Sequence, residues 1–256
     1  MSNKNNNLIS PPPLKLKHNK VFQNCILCTE TLNNSCKTAF TLAEVLITLG
    51  IIGVVAAMTL PGIIQNYQKH VVETKLKRIY AVMNEAVRLS EVKYGDKKYW
   101  ETNLSPMEFY NKYYKGVLKV TSVKEIPDDN DEGILISFAD GSILRSYRQG
   151  RDYDYFISAD KYMKHKDKIR PGVDKFMFRL SPTDQTDLTN TAPHYNRGFE
   201  PYAYLWDGTR DGLIEGRTAG ESYGCRQSAR DRYYCAKLIQ LNGWKIPDDY
   251  TFKVRY

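Results

Sequence analysis

The sequence lacks the short motifs that mark the common enzyme active sites. It contains no Gly-x-Ser-x-Gly nucleophile elbow, no phosphate-binding Walker loop and no His-Glu-x-x-His zinc motif. Histidine is scarce as well, and the four copies have no metal-ligand spacing: His18, His70, His165 and His194. We therefore predict that the protein is not an enzyme and holds no catalytic cofactor.

Cysteine is also scarce, and its placement argues against a metal or redox centre near the amino terminus. The five copies are Cys25, Cys28, Cys36, Cys225 and Cys235. A zinc site needs four ligands, and His18 is the one other ligand near the first three thiols. No βαβ pattern surrounds Cys25 and Cys28, as a thioredoxin-like motif would require. The sequence predicts an unstructured leader there.

Acidic loops leave calcium as the one metal alternative. Asp184 lies close to Asp187, and Asp207 lies close to Asp211. A calcium site needs six or more oxygen ligands, whereas acid-rich turns are usually only solvated. We predict no bound metal, with calcium at these aspartates as the alternative.

Charged residues are absent from residues 45–64. A helix needs about 20 apolar residues to cross a bilayer, so this run is long enough. Before it, residues 1–39 hold five lysines and one acid. A positive flank of this kind stays in the cytoplasm. The pattern predicts a single membrane-spanning segment, with the chain after Ile64 outside the cytoplasm.

A second helical pattern continues directly from the apolar run. Apolar or small residues recur at spacings of three and four, as on one buried helix face: Val72, Leu76, Ile79, Met83, Ala86 or Val87, and Ser90. We predict one helix over residues 40–94 that stops at Gly95. Pro61, with Gly62 beside it, should kink or loosen this helix.

The pattern changes after the long helix. Ser105, Pro106 and Glu108 are typical of a helix start, and that helix should reach residue 114. Alternating residues predict strands over residues 117–123, 133–138, 143–147, 153–158, 175–180 and 202–206, with a hairpin turn at Asp140-Gly141. Residues 181–200 are polar and rich in turn-forming residues, so we predict a loop there. We predict a helix over residues 230–241, which ends at Asn242-Gly243.

The string Phe40-Thr41-Leu42-Ala43-Glu44, between a basic polar leader and the apolar run, resembles the amino terminus of type IV prepilins and type II secretion pseudopilins. The resemblance covers roughly residues 37–68 and includes Pro61. It implies a pilin-like α+β fold, in which a long helix packs against a small antiparallel sheet. It divides the chain into a removed leader (1–39), a membrane and filament-core helix (40–65), its amphipathic continuation (66–95) and a head outside the cytoplasm (96–256).

The resemblance also implies how the chain is processed. A prepilin peptidase would cut between Ala39 and Phe40 at the cytoplasmic face of the bacterial inner membrane, and would methylate the new amine of Phe40. Lys37 supplies the positive charge that is usual just before the cut. Family members usually have glycine before the cut, so Ala39 could slow the reaction.

A role for Glu44 follows from the cost of a carboxylate in lipid, which is usually paired and functional. In a filament of staggered subunits, Glu44 would neutralise the Phe40 amine of the next subunit and so set the register. The alternative is a side chain that snorkels at the interface of an ordinary membrane anchor. Small residues near one helix face would permit close helix contacts, or simply reflect how common glycine is in membrane helices: Gly50, Gly53, Ala56 and Ala57.

Near the carboxyl terminus, Cys225 and Cys235 form an even pair on the side of the membrane predicted to be oxidising. Many pilins have a disulfide-bounded loop at this position, and the resemblance implies a Cys225–Cys235 disulfide. Free or partner-bridged thiols are the alternative. Four apolar residues beyond the pair are predicted to be core: Leu238, Ile239, Leu241 and Trp244.

The resemblance thus implies a structural subunit of a type IV pilus or a type II secretion pseudopilus, in the periplasm or at the cell surface. Its partners would be the peptidase, other pilin-like subunits and an assembly platform in the inner membrane. One alternative is a minor pilin whose basic, tyrosine-rich head binds DNA or a surface. Another is a membrane-anchored domain that never polymerises.

Overall fold

The structure, a computed structural model, describes most of the chain after the predicted leader. The described residues are 40–101, 103–126, 133–148, 150–181, 198–216 and 220–254. The chain forms two units, Met1–Leu49 and Gly50–Tyr256. Several residues discussed above lie outside the described part: Cys25, Cys28, Cys36, His18, Lys37 and Ala39 of the leader, and Asp184, Asp187 and His194.

The long helix, α1, runs without interruption from Leu42 to Tyr94, and so begins two residues later than predicted. The predicted face is confirmed, because all seven residues that define it are buried. Pro61 lies inside the helix, where it offers no N–H to the preceding turn. Gly95 follows the last helical residue with a φ of 82°, and its N–H donates to the Glu91 carbonyl at 2.9 Å.

A short helix, α2 (Pro106–Phe109), begins where the sequence predicts. The Ser105 hydroxyl accepts from the Glu108 N–H at 3.3 Å, and the Glu108 carboxylate accepts from the Ser105 N–H at 2.9 Å. The chain continues as a π-helical turn over Tyr110–Tyr114. Helical structure therefore extends to the predicted residue.

The head contains one six-stranded antiparallel sheet in which strands adjacent in sequence are adjacent in space. The strands are β1 (Ser122–Ile126), β2 (Gly133–Ser137), β3 (Ile143–Tyr147), β4 (Asp152–Phe156), β5 (Lys175–Leu180) and β6 (Phe199–Pro201). Strands β2 to β5 are confirmed within two residues of the prediction, with the predicted turn between β2 and β3. Together with α1, the sheet gives the α+β fold that the resemblance implies.

Two strand predictions are wrong in position. Residues 117–121 are not a strand, because the Tyr114 carbonyl accepts from the N–H groups of Val117 and Leu118 at 3.1 and 2.9 Å and turns the chain. Residues 202–206 follow β6 instead of forming it, since the Trp206 N–H donates back to the Ala203 carbonyl at 3.2 Å. The strand itself falls in the predicted loop 181–200, of which residues 182–197 lie outside the described part.

The last helix is shorter than predicted. It runs as α5 from Cys235 to Leu241 instead of from residue 230. Arg232 has a φ of 50°, which a right-handed helix cannot contain. Leu238 and Ile239 are buried as predicted, whereas the prediction for Leu241 is wrong, because its side chain is 50% exposed.

Trp244 is only partly buried and packs against the ring of Tyr80 on α1, with ring centroids 5.0 Å apart. Trp244 therefore belongs to the margin of the core.

The remaining described helices are α3 (Ala159–Lys164) and α4 (Arg210–Glu215), with 3₁₀ turns at Lys97–Tyr99, Lys166–Lys168 and Glu221–Tyr223.

The two faces of the sheet carry different apolar clusters. Alternate residues of β4 and β5 pack with α1 into the main core, including Tyr153, Tyr155, Phe176 and Phe178. Because side chains alternate along a strand, the intervening positions point to the other face. A smaller cluster lies there, in which α3 covers β2, β3 and β4: Leu135, Ile143, Phe156 and Tyr162.

Two charged residues on the buried face of α1 hold the head to the helix. The Lys75 Nζ donates to the carbonyls of Asp140 and Ile157, both at 2.9 Å. The Glu73 carboxylate accepts from the Ile246 N–H at 2.9 Å and from the Lys245 Nζ at 3.0 Å. Because distant parts of the chain supply these partners, the helical pattern gives no sign of them.

Asn84 of α1 pairs with the backbone of β6. Its amide nitrogen donates to the Phe199 carbonyl at 2.7 Å, and its amide oxygen accepts from the Phe199 N–H at 3.1 Å. We expect Asn84→Ala to lower the free energy of unfolding by about 2–3 kcal/mol, because two backbone groups lose their partners. Urea unfolding of the full chain in detergent measures this.

The neighbouring Glu85 gives the matched control for that substitution. It is exposed and pairs with Arg88, with 2.6 Å between the Glu85 carboxylate and the Arg88 guanidinium. Glu85→Ala should change the free energy of unfolding by less than about 0.5 kcal/mol. Equal stability of the two variants would show that the Asn84 pairing does not stabilise the head.

Candidate functional site

The long helix begins inside the string that resembles a prepilin processing segment. The Thr41 hydroxyl oxygen accepts a hydrogen bond from the Glu44 N–H at 3.2 Å. In return, the Glu44 Oε2 accepts from the Thr41 N–H at 2.8 Å and from the Thr41 hydroxyl at 2.9 Å. This reciprocal arrangement is a capping box, which satisfies N–H groups that a helix start leaves without intrahelical partners.

The capping contact gives Glu44 a partner within its own chain. The Thr-x-x-Glu spacing of Thr41 and Glu44 is itself the signal of a capping box, so the contact could have been found from sequence. A role of Glu44 between subunits would therefore add to a role at the start of its own helix.

The apolar half of α1 is exposed within the described residues. The helix is long and apolar enough to cross a membrane, and no part of its most apolar stretch is buried. Phe40 at its start is 85% exposed. Exposed apolar surface costs about 25 cal/mol per Å² in water, so this half of the helix requires lipid or other chains around it.

Gly50, Gly53 and Pro61 all lie on the exposed half of α1. A Cβ atom added at Gly50 or Gly53 would meet nothing within 4 Å. Within the part of the chain that the structure describes, no contact therefore depends on the small size of these two residues. Their role in contacts between helices stays a prediction.

The structure joins Cys225 and Cys235 in a disulfide, as the resemblance implies. Both cysteines are buried. Gly172 lies against the bond, since a Cβ atom there would be 2.8 Å from the Cys235 Sγ. Within the loop, the Arg232 guanidinium lies 4.4 Å from the centre of the Phe252 ring. The loop is therefore packed against the head on several sides.

The charged residues on the outer face of the sheet are paired internally. Asp152 of β4 lies 3.5 Å from the Arg179 guanidinium, and Asp154 lies 3.5 Å from the Lys175 Nζ. Burial raises the pKa of both carboxyls, against the opposing effect of these cations. Burial also raises the pKa of Tyr233 to about 12. Both carboxylates are therefore buried, each beside a cation of the same head.

The tyrosines of the head serve its core more than its surface. Four of them are among the largest fully buried side chains: Tyr114, Tyr153, Tyr155 and Tyr234. Another three have their rings in contact, with centroids 4.9–6.1 Å apart: Tyr202, Tyr223 and Tyr233. The richness in tyrosine therefore does not by itself indicate a surface on which nucleic-acid bases stack.

The one described part of the calcium alternative is a turn before α4. The Asp207 Oδ1 accepts from the N–H and the hydroxyl of Thr209, at 2.9 and 2.7 Å. The Thr209 hydroxyl in turn accepts from the Gly212 N–H at 2.9 Å and caps the helix. Over the described ranges, His, Cys, Asp and Glu do not form any group of three that could hold a metal ion.

Comparisons with known proteins give two matches. The prokaryotic N-terminal methylation motif matches residues 34–60. A family described as a family of unknown function (DUF6613) matches residues 62–254, which is about three quarters of the chain. No curated protein and no solved structure matches the chain. The amino-terminal segment is therefore prepilin-type, and the chain belongs to this family of unknown function (DUF6613).

Proposed function

We propose that the chain is a pilin-like or pseudopilin-like structural subunit, which a prepilin peptidase cleaves between Ala39 and Phe40 and methylates at Phe40. The observation that carries this proposal is the methylation motif at residues 34–60, which leads into a helix with an exposed apolar half. Proteins with this motif are structural subunits. We therefore propose assembly into a type IV pilus or a type II secretion pseudopilus, with other pilin-like subunits and an inner-membrane platform as partners.

The proposed assembly contact joins the Glu44 carboxylate to a positive charge that processing creates. Cleavage after Ala39 would create a cationic amine at Phe40, four residues before the Glu44 carboxylate. In an apolar filament core an unpaired charge is strongly penalised. Pairing of Glu44 with the Phe40 amine of a neighbouring subunit would satisfy both charges and fix the stagger between subunits.

The disulfide supports the proposed orientation of the precursor. Disulfides persist in oxidising compartments and are rare in the cytosol. Cys225 and Cys235 are joined, and they lie beyond the apolar segment, on the opposite side from the lysine-rich leader. We propose a precursor in the inner membrane with its leader in the cytoplasm and its head outside, and a later place in a periplasmic or surface filament.

The test is the intact mass and amino-terminal sequence of the protein recovered from membranes of its own host. We expect a chain that starts at Phe40 and is heavier by one methyl group. The matched control is a host strain without its prepilin peptidase, in which the leader should be retained. A chain that keeps Met1 or Ser2, or one cut after Ala57, would instead indicate an anchored or secreted domain.

A further inference from the structure

One end of the sheet lies beside Lys75 of α1. Lys75 of α1 donates to the carbonyls of Asp140 and Ile157, and the Ala159 N–H donates to the Gly141 carbonyl at 2.7 Å. The β2–β3 turn and the β4–β5 connection therefore both lie beside Lys75. Lys75 follows the last residue of the apolar run, Ile64, by eleven positions, which is roughly 16 Å along a helix.

The β4–β5 connection at this end is strongly basic. We call residues 159–170, which contain α3 and the 3₁₀ turn Lys166–Lys168, the basic segment. Its two acids are Asp160 and Asp167, and its five cations are Lys161, Lys164, Lys166, Lys168 and Arg170. The segment therefore carries a formal net charge of +3, with His165 taken as neutral.

Both ends of the basic segment are fixed to the head. The Lys161 Nζ lies 2.6 Å from the buried Asp174 carboxylate, and the Arg170 Nε lies 3.3 Å from it. The Tyr162 ring packs against Phe156, with centroids 4.4 Å apart. The segment therefore leaves the sheet and returns to it at the end that lies beside Lys75.

The middle of the basic segment is exposed. Lys164, Lys166 and Lys168 all face solvent. Met163 beside them is 61% exposed, although it is a large apolar side chain. Positive charge around an exposed apolar side chain is typical of protein surfaces that rest on a lipid interface.

We propose that the basic segment binds the anionic lipid headgroups of the membrane that holds α1. The headgroup layer takes up about 5–8 Å of the 16 Å rise between Ile64 and Lys75, which leaves roughly 10 Å, or one Debye length at 0.1 M salt. This distance is that of Lys75, and the basic segment leaves the sheet at the same end. Lysines within about a Debye length of an anionic surface are attracted to it. The inference rests on the membrane-spanning part of the proposed function.

A nucleic acid would also match the charge of the basic segment. Two observations favour lipid instead: the segment lies at the end of the sheet beside the membrane-proximal turns of α1, and Met163 offers an apolar contact that phosphates do not use. The partner is therefore a lipid surface, and the contact would orient the head before assembly.

The test uses the full chain in bilayer nanodiscs, either of phosphatidylglycerol and phosphatidylcholine in equal parts or of phosphatidylcholine alone. Hydrogen exchange followed by mass spectrometry reads the backbone amides of residues 162–169. We expect slower exchange in the anionic discs and no difference between the two discs at 0.5 M NaCl. Each lysine should contribute about fivefold to the bound-to-free ratio.

The variant Lys164→Gln/Lys166→Gln/Lys168→Gln should therefore lower that ratio roughly a hundredfold. The buried Asp174 keeps its partners Lys161 and Arg170 in this variant, so the segment should stay folded. The matched control carries three glutamines at exposed lysines toward the other end of the head and should behave as wild type: Lys93, Lys98 and Lys115.

Equal exchange in both kinds of disc, or an unchanged triple variant, would overturn the inference. If the chain is retained in the discs but residues 162–169 are not protected, this inference fails alone. If the chain is not retained at all, the proposed membrane segment fails as well. Protection by added duplex DNA in neutral discs, without protection by anionic lipid, would replace lipid by nucleic acid as the partner.

Discussion

Glu44→Gln is expected to abolish filament assembly while cleavage before Phe40 and the fold of the head are retained. Glutamine keeps an oxygen that can accept from the Thr41 N–H, the hydrogen bond now made at 2.8 Å, but it has no charge to pair with the Phe40 amine of a neighbour. Electron microscopy of sheared filaments measures assembly. Intact mass measures processing on the same cells.

Thr41→Ala is the matched control for that substitution. It removes the hydroxyl that accepts from the Glu44 N–H but leaves the carboxylate in place. Loss of such a cap costs about 1 kcal/mol, which a 53-residue helix should tolerate. We expect filaments from Thr41→Ala. If it fails as completely as Glu44→Gln, then Glu44 acts through its own helix start and not between subunits.

Removal of the disulfide by Cys225→Ala/Cys235→Ala should lower the free energy of unfolding by roughly 3 kcal/mol, the value expected for a short loop in the chain-entropy account. The two cysteines are 10 residues apart and fully packed, so alanine also leaves unfilled space beside Gly172. Urea unfolding of the full chain in detergent measures the loss. Wild type unfolded with a reductant should approach the variant.

Alanine at the three leader cysteines controls for general effects of thiol loss. Cys25, Cys28 and Cys36 all precede the proposed cleavage position, and their removal should leave the free energy of unfolding unchanged. If the double variant of Cys225 and Cys235 is as stable as wild type, the disulfide does not support the head. Its importance would then have to lie elsewhere, for example in resistance to proteases.

The predictions that are confirmed were based on periodic patterns of residues. The buried face of α1 was predictable because seven residues recur at helical spacing. All seven are buried, and the six apolar ones belong to the main core. Strands β2 to β5 alternate in the same way, and the Ser105 signature identified the start of α2. In each case the signal lies within a few residues of the element that it specifies.

The predictions that failed depend on contacts between distant residues. Strand β6 has only three residues, and part of its backbone pairs with Asn84, more than a hundred positions earlier. The start of α5 is set by the positive φ of Arg232, which the helical pattern of residues 230–241 does not reveal. No local pattern contains this information.

The candidate site divides in the same way. Phe40 and Glu44 were identified from the string that contains them, and the methylation motif matches that region. The capping contact of Thr41 was overlooked, although it is a local signal. The sequence did not indicate a site at the basic segment, because the segment comes to lie at the end of the sheet beside Lys75 only when the sheet is formed.

The pairing of Asn84 with Phe199 has a consequence for self-association through the edge of the sheet. An unpaired strand edge invites another chain to add a strand, which is a common route to uncontrolled aggregation. At β6 the outward N–H and carbonyl of Phe199 are already taken by the Asn84 amide. A strand from another chain therefore finds these two groups occupied, so in the proposed filament the contacts between subunits would not run through this edge.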